Sequence, residues 1–410
     1  LRNNSLFVKP LDSTLKNLNG KFSFINGDLK SEPMTANWFN QPLNVDFSTT
    51  EGAKAYQVAV NLQGDWQPSR MGILPAQVND ALNGSIAWNG KVGIDLPYHA
   101  GPTYNVELKG DLKNVSSHLP SPLNKAAGEA LPVNVKANGN LRSFDLTGNA
   151  GSKNHFNSRW LLNQKLTLDR AIWASESRTV PALPDQQGIE LNLPPMDGAQ
   201  WLALFQKGAV DNVGSNANFP QRITVRTPSL SLGGQQWNNL SIVSEPASNG
   251  STVQAQGREI NATLAMRNNA PWLANIKYLY YNPSAAKPSQ NSTPASPFSA
   301  IDNVSFRGWP DLQLRCAECW MWGQKYGRID ADVAIKGDTL TLSNGLLDTG
   351  FARLTTDGVW VNAPGKERTS LKGKLSGNKI DSAAGFFGVS TPIRNSSFNV
   401  EYDLHWRNPP

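Results

Sequence analysis

Charge is scarce in this 410-residue chain, where Asp, Glu, Lys and Arg make up 17%, against about a quarter in ordinary soluble domains. The net charge of +6 is spread along the chain, so there is no basic stripe for nucleic acid. Long apolar runs are missing too. No stretch approaches the roughly 20 apolar residues of a membrane helix. The four histidines, His99, His118, His155 and His405, stand alone. The G-x-S-x-G elbow, the H-E-x-x-H helix and the P-loop are all absent. A polysaccharide-acting enzyme therefore has no constellation to rest on, and neither a metal nor a cofactor is implied.

Alternation is what the chain has in abundance. In "YQVAVNLQGDW" (56–66), Tyr56, Val58, Val60 and Leu62 alternate with polar or small residues until Gly64-Asp65. "YNVELKGDL" (104–112) and "VAIKGD" (333–338) repeat the phrase. Period 2 with one apolar face predicts β-strands, and the chain holds roughly sixteen to twenty of them by this criterion. Gly, Asn, Asp and Pro between them predict short turns and antiparallel neighbours. An open sheet of that size curls or splits. The expected fold is mainly β: a long, curled antiparallel sheet, groove-like or half-barrel, with a few short amphipathic helices.

Three helices are expected between strands. The first is "AQVNDAL", closing at Asn83-Gly84. The second follows Ser121 as N-cap and Pro122, with a stripe of Leu123, Ala126, Ala127, Ala130 and Leu131. The third carries Ile380, Ala383, Ala384 and Phe387 before Gly388. "DGAQWLALFQKG" has Asp197 as cap and Gln200 at the capping-box position, ending at Lys207-Gly208. "PWLANIKYLYY" aligns Trp272, Ile276, Leu279 and Tyr280 at helical spacing. The stretch 282–299 is rich in Pro, Ser and Asn and reads as a disordered loop. It separates segments 1–281 and 300–410. The opening at Leu1 and the ending "HWRNPP" read as the limits of an internal piece of a longer protein.

Cys316 and Cys319 form the only cysteine pair. A structural zinc site needs four ligands, and a thioredoxin-like centre needs a βαβ setting. A local disulfide across a tight turn comes first, free thiols second and a metal last. Asp330 and Asp332 alternate with Ile329, Ala331 and Val333, which puts them on a solvent face rather than in a catalytic pair. The thirteen tryptophans suit β cores and rims, or glycan stacking.

Two long segments carry a resemblance. They are "LKNLNGKFSFINGDLKSEPMTANWFNQPLNVDFSTTEGAKAYQVAVNLQGDWQPSRMGILP" and "LRCAECWMWGQKYGRIDADVAIKGDTLTLSNGLLDTGFARLTTDGVWVN". With the strand–Gly-Asp–helix–strand units at 56–88 and 104–137, and the C-x-x-C-W run at 316–320 before Gly327-Arg328-Ile329, the chain resembles the AsmA-like superfamily of bacterial envelope proteins. The resemblance implies an inner-membrane anchor outside this chain, a periplasmic β structure, and movement of phospholipids between inner and outer membranes. It brings no catalytic motif.

On that expectation the apolar alternate positions line a groove for acyl chains. In the first half they are Tyr56, Val58, Val60, Leu62, Tyr104, Val106, Leu108, Val133, Val135, Phe144, Leu146, Leu166 and Leu168. Leu191, Leu193, Ile223 and Val225 follow, then Ile329, Val333 and Ile335, and finally Phe398, Val400, Tyr402 and Leu404. The expected partners are phospholipids, the inner membrane through the anchor, and the outer membrane or its proteins. A scaffold or glycan-binding β module is the alternative, in which the inner face is filled by its own side chains.

Overall fold

A computed structural model describes residues 1–8, 13–71, 76–201, 217–283, 308–363, 365–386 and 388–407. The chain divides into two units, Leu1–Pro228 and Ser229–Pro410, and each is a sheet of alternating strands.

The first unit opens with β1 (Asn4–Val8), β2 (Ser13–Asn19), β3 (Phe22–Ile25), β4 (Asp28–Ser31), β5 (Met34–Trp38), β6 (Gln41–Glu51) and β7 (Ala55–Trp66). Then come α1 (Ala76–Ala81), β8 (Leu82–Asn83), β9 (Ile86–Pro97), β10 (Thr103–Asp111), β11 (Ser116–His118), β12 (Asn124–Lys125) and β13 (Pro132–Asn140). It closes with β14 (Ser143–Ala150), β15 (Asn154–Leu162), β16 (Leu166–Ala174), β17 (Gly188–Asn192), the short β18 (Met196–Asp197) and β19 (Ala217–Asn218), and the first half of β20 (Ile223–Leu232). From β6 to β16 the main sheet is an antiparallel meander through β7, β9, β10, β13, β14 and β15. Asn26-Gly27, with φ of 52° and 92°, makes the tight turn between β3 and β4. The pairs β16–β17 and β17–β20 are parallel. Parallel neighbours need a crossover, and residues 175–187 supply the first.

The second unit holds β21 (Gln235–Ala247), β22 (Gly250–Gln256), β23 (Ile260–Arg267), β24 (Trp272–Tyr281), β25 (Leu312–Met321) and β26 (Gln324–Lys336). β27 (Thr339–Asp348), β28 (Ala352–Val361), β29 (Arg368–Gly377), α2 (Ile380–Phe386) and β30 (Phe398–Trp406) follow. Its pairs are antiparallel except β24–β25. The fold is thus mainly β and largely antiparallel, with few short helices.

Four local expectations need correction. First, β7 does not stop at Gly64-Asp65. It runs to Trp66, because a Cβ at Gly64 would stand 2.8 Å from the Trp66 indole nitrogen and 2.9 Å from that of Trp88, so glycine makes room for two indoles inside the strand. Second, no helix follows Ser121. The Asp111 carboxylate accepts from Lys113 and Leu131 backbone N–H, and Asn124–Lys125 pairs with β11. Ala126, Ala127 and Ala130 are exposed, so the apolar stripe has no surface to bury against, and packing is what sustains a short helix. Third, 272–281 is strand, not helix. A bulge at Lys277 brings Ile276 and Leu279 to one face, which imitates helical spacing. Fourth, Cys316 and Cys319 lie within β25, not across a turn.

α1 and α2 occupy the expected places, and Phe387 lies outside the described residues. In the capped stretch "DGAQWLALFQKG", Asp197 accepts from Ala199 N–H at 3.0 Å and from the Gln200 side-chain amide at 2.9 Å, and Trp201 donates to Ser121 carbonyl. Its remainder, and all of 282–299 beyond Pro283, lie outside the described residues.

Candidate functional site

Residues that pair directly across strands share a face of the sheet. In the first unit one row runs Phe47–Val60–Val92–Val106–Ala137–Leu146–Ser158–Ala171–Ile189–Ile223. The next runs Val45–Leu62–Gly90–Leu108–Val135–Gly148–Phe156–Trp173–Leu191–Val225. A third joins Thr49, Val58, Ile94, Tyr104, Gly139, Phe144, Trp160 and Leu168. Tyr56 pairs with Leu96, Val133 with Ala150, and Leu166 with Leu162. None of these positions bears a charge. Nine steps of about 4.8 Å make each of the first two rows roughly 43 Å long, nearly three times the half-thickness of a bilayer's hydrocarbon core of about 30 Å.

The second unit repeats the arrangement. Its row is Ile242–Ala255–Ala262–Ile276–Cys316–Ile329–Leu347–Leu354–Leu375–Val400. Beside it lie Leu312–Val333–Leu342–Gly358–Leu371–Leu404, the pair Ile335–Leu340, and the pairs Tyr402–Gly373 and Phe398–Gly377. Leu193 follows β17, at the same parity as Ile189 and Leu191, and donates its N–H to Arg226 carbonyl.

The opposite face is polar and cross-linked. Asn61 donates to Asp46 at 2.7 Å. Arg159 pairs with Asp145 at 2.7 Å, Arg226 with Glu190 at 2.7 Å, Arg315 with Asp332 and Arg328 with Asp330, both at 2.6 Å. The Arg159 guanidinium holds the Asp145 carboxyl below the usual carboxylate range. Asn344, and after it Arg315, does the same for Asp332. Asp330 and Asp332 are thus members of outward ion pairs. His405 also faces outward, 2.9 Å from Asp403.

The apolar face is not a sealed core. Val58, Val60, Leu62, Val106, Leu108 and Val135 are half-buried, and Ile223, Val400 and Leu404 are exposed. The buried side chains cluster at one corner, where Leu15, Ala36, Leu43 and Trp66 close under Trp38, Phe39 and Trp88, while Ala137, Leu168, Cys316 and Cys319 are buried at separate places on the two faces. Aromatic pairs stiffen the far side: Phe144 on Trp160 at 6.1 Å and Phe156 on Trp173 at 6.0 Å, both stacked.

The crossover 175–187 leaves this face clear. Asn157 donates to Pro181 carbonyl, Arg170 to Pro184 carbonyl and Arg222 to Gln186, and all three donors sit in polar rows. Ile172 and Thr224, on that same outward side, are buried beneath it. The hand is unusual. Ser175, in phase with Trp173, donates its N–H to Asn192 carbonyl. For L-residues this sets β17 to the right of β16 when both run upward with the apolar face toward the viewer. A right-handed connection, the ordinary choice, would therefore have crossed the apolar face.

Sequence reasoning missed much of that face. Val92 and Ile94 sit in "IAWNGKVGIDLP", where glycines break the visual alternation. Trp173 lies beyond a bulge at Asp169, opposite Arg159 and Trp160, which shifts the parity from Leu168 to Ala171. Ile276 was hidden in the strand read as helix. Among the described residues no helix is long and apolar enough to cross a membrane.

The family described as "YhdP protein" matches residues 1–410. The chain is 76% identical over all 410 residues to the "Intermembrane phospholipid transporter YhdP" of Escherichia coli (strain K12) and spans 32% of that relative's length. No solved structure matches.

Proposed function

We propose, because the chain belongs to the YhdP family, that its charge-free faces carry the acyl chains of phospholipids on their way between inner and outer membranes, without chemistry. The observation that supports this reading most is the unbroken apolar row in each unit, half-open and backed by a polar face. An acyl methylene exposed to water costs about 0.8 kcal/mol, so a chain of about sixteen carbons faces roughly 13 kcal/mol in an aqueous gap. A face of even apolarity removes most of that barrier at every point along its length, and the head group stays in water at the open side. Nothing in this task calls for a nucleophile or a metal. The rest of the working arrangement lies beyond this chain: an anchor in the inner membrane, the outer membrane or its proteins at the far end, and the periplasm between.

Two measurements test the reading. Native mass spectrometry after gentle purification is expected to show bound phospholipid, and its absence counts against the proposal. Val60→Arg or Leu108→Arg puts a cation into a row on the face and is expected to abolish lipid transfer in a chain that still folds. Transfer at the parent rate through a folded arginine variant contradicts it.

A further inference from the structure

A crease crosses the second unit's sheet where three neighbouring strands bulge together. On β24 the apolar face steps from Ile276 to Leu279, and on β25 from Cys316 to Cys319. On β26 the partners step from Ile329 to Gly327, with a further shift just beyond. Gly327 has φ of +76°, and a Cβ there would stand 2.2 Å from Asp348 carbonyl, so glycine is required at the fold of the crease. A bulge adds one residue and reverses the parity beyond it.

The reversal decides what the apolar face contains. Straight alternation from Leu314 and Cys316 would carry Glu318 and Trp320 onto it. The bulge sends both outward and brings Cys319 and Met321 in. Outside, the Glu318 carboxylate accepts from the Trp320 indole at 3.0 Å and lies 3.4 Å from Lys325, whose ammonium stands 5.7 Å from the Trp320 ring centre. The two cysteines that bracket the bulge are bonded to each other through their sulfurs and are 1% and 4% exposed, among the most buried residues of the unit.

We propose that the Cys316–Cys319 disulfide is a register lock. It ties the residues on either side of the bulge, so β25 cannot straighten and rotate Glu318 into the wall. Reduction to two thiols would open the lock and turn a charge-free wall into one bearing a carboxylate. A dithiol does this by giving up two electrons and two protons and becoming a disulfide. A phosphine gives up the electrons and takes oxygen from a water molecule, whose protons go to the thiols. The lock is a property of the sheet and stands whether or not lipid uses the face.

Paired cysteine reporters read the register directly. Tyr281 and Met321 pair across β24–β25, so Tyr281→Cys with Met321→Cys bonds only when the bulge is present. Tyr281→Cys with Trp320→Cys bonds only when β25 has straightened. With the native disulfide intact, the expected product is the 281–321 bond alone. In C316A/C319A the 281–320 bond is expected to appear, and to grow when Glu318→Leu is added. Persistence of the 281–321 bond alone in the folded double variant overturns the lock. Should the double variant not fold, hydrogen exchange over 312–321 in the folded parent, before and after phosphine reduction, decides the matter. Faster exchange after reduction supports the lock, and unchanged exchange refutes it.

Discussion

At the scale of single residues, side chains on one apolar face differ in how far they are closed off from solvent. Leu43 is 2% exposed in the closed corner, whereas Leu62, farther along the same apolar face, is half-buried. Leu43→Ala is expected to lower the unfolding free energy by about 2–5 kcal/mol, the cost of a cavity in a packed core. Leu62→Ala should cost about 1 kcal/mol, measured by urea titration. Equal large losses would show that the face is plugged. Ionisable groups add a pH dependence of definite sign. Asp145 and Asp332 have folded pKa values held below their unfolded ones by Arg159 and by Asn344 with Arg315. Their contribution is present above the ordinary aspartate value, near 3.9, and is lost as pH falls through the lower folded values. Tyr104, on the apolar face, is shifted up by desolvation. Its contribution is intact below pH about 10 and is lost at higher pH, so Tyr104→Phe should flatten the alkaline limb of a stability–pH curve and leave the acid limb unchanged.

At the scale of elements, the connections and bulges decide which face stays open. The crossover 175–187 buries Ile172 on the polar side, so Ile172→Ala is expected to cost about 2–4 kcal/mol and to raise proteolysis within 175–187 while leaving the apolar rows intact. The short loop closed by Cys316 and Cys319, of sequence separation 3, contributes only about 2 kcal/mol by loop entropy, which is why a local role suits it better than global stability. These elements also mark where the sequence was legible. Unbulged strands such as 56–66, 104–111 and 397–406 showed their faces plainly, because period 2 survives translation into the sheet. Where a bulge intervened, at Lys277 and at Asp169 opposite Arg159 and Trp160, the period broke or imitated a helix, and Ile276 and Trp173 went unread. The stripe after Ser121 failed for another reason: its spacing was helical but nothing stood opposite to bury it. Parallel pairing was not legible, since a crossover has no periodicity of its own and the short turns pointed to antiparallel neighbours.

At the scale of the whole molecule, two units each turn a charge-free face to whatever the polar backing leaves it free to meet. The proposal that this guest is an acyl chain rests on an even surface, so it is tested by comparing faces rather than by removing one residue. A photo-crosslinking amino acid at Val60 or at Val106 probes the apolar face, and one at Asn61 or at Glu107 probes the polar face one residue away. In the full-length protein in its membranes, phospholipid adducts are predicted at Val60 and Val106 and not at Asn61 and Glu107. Equal labelling of both faces, or no adduct at the apolar positions, would contradict the account.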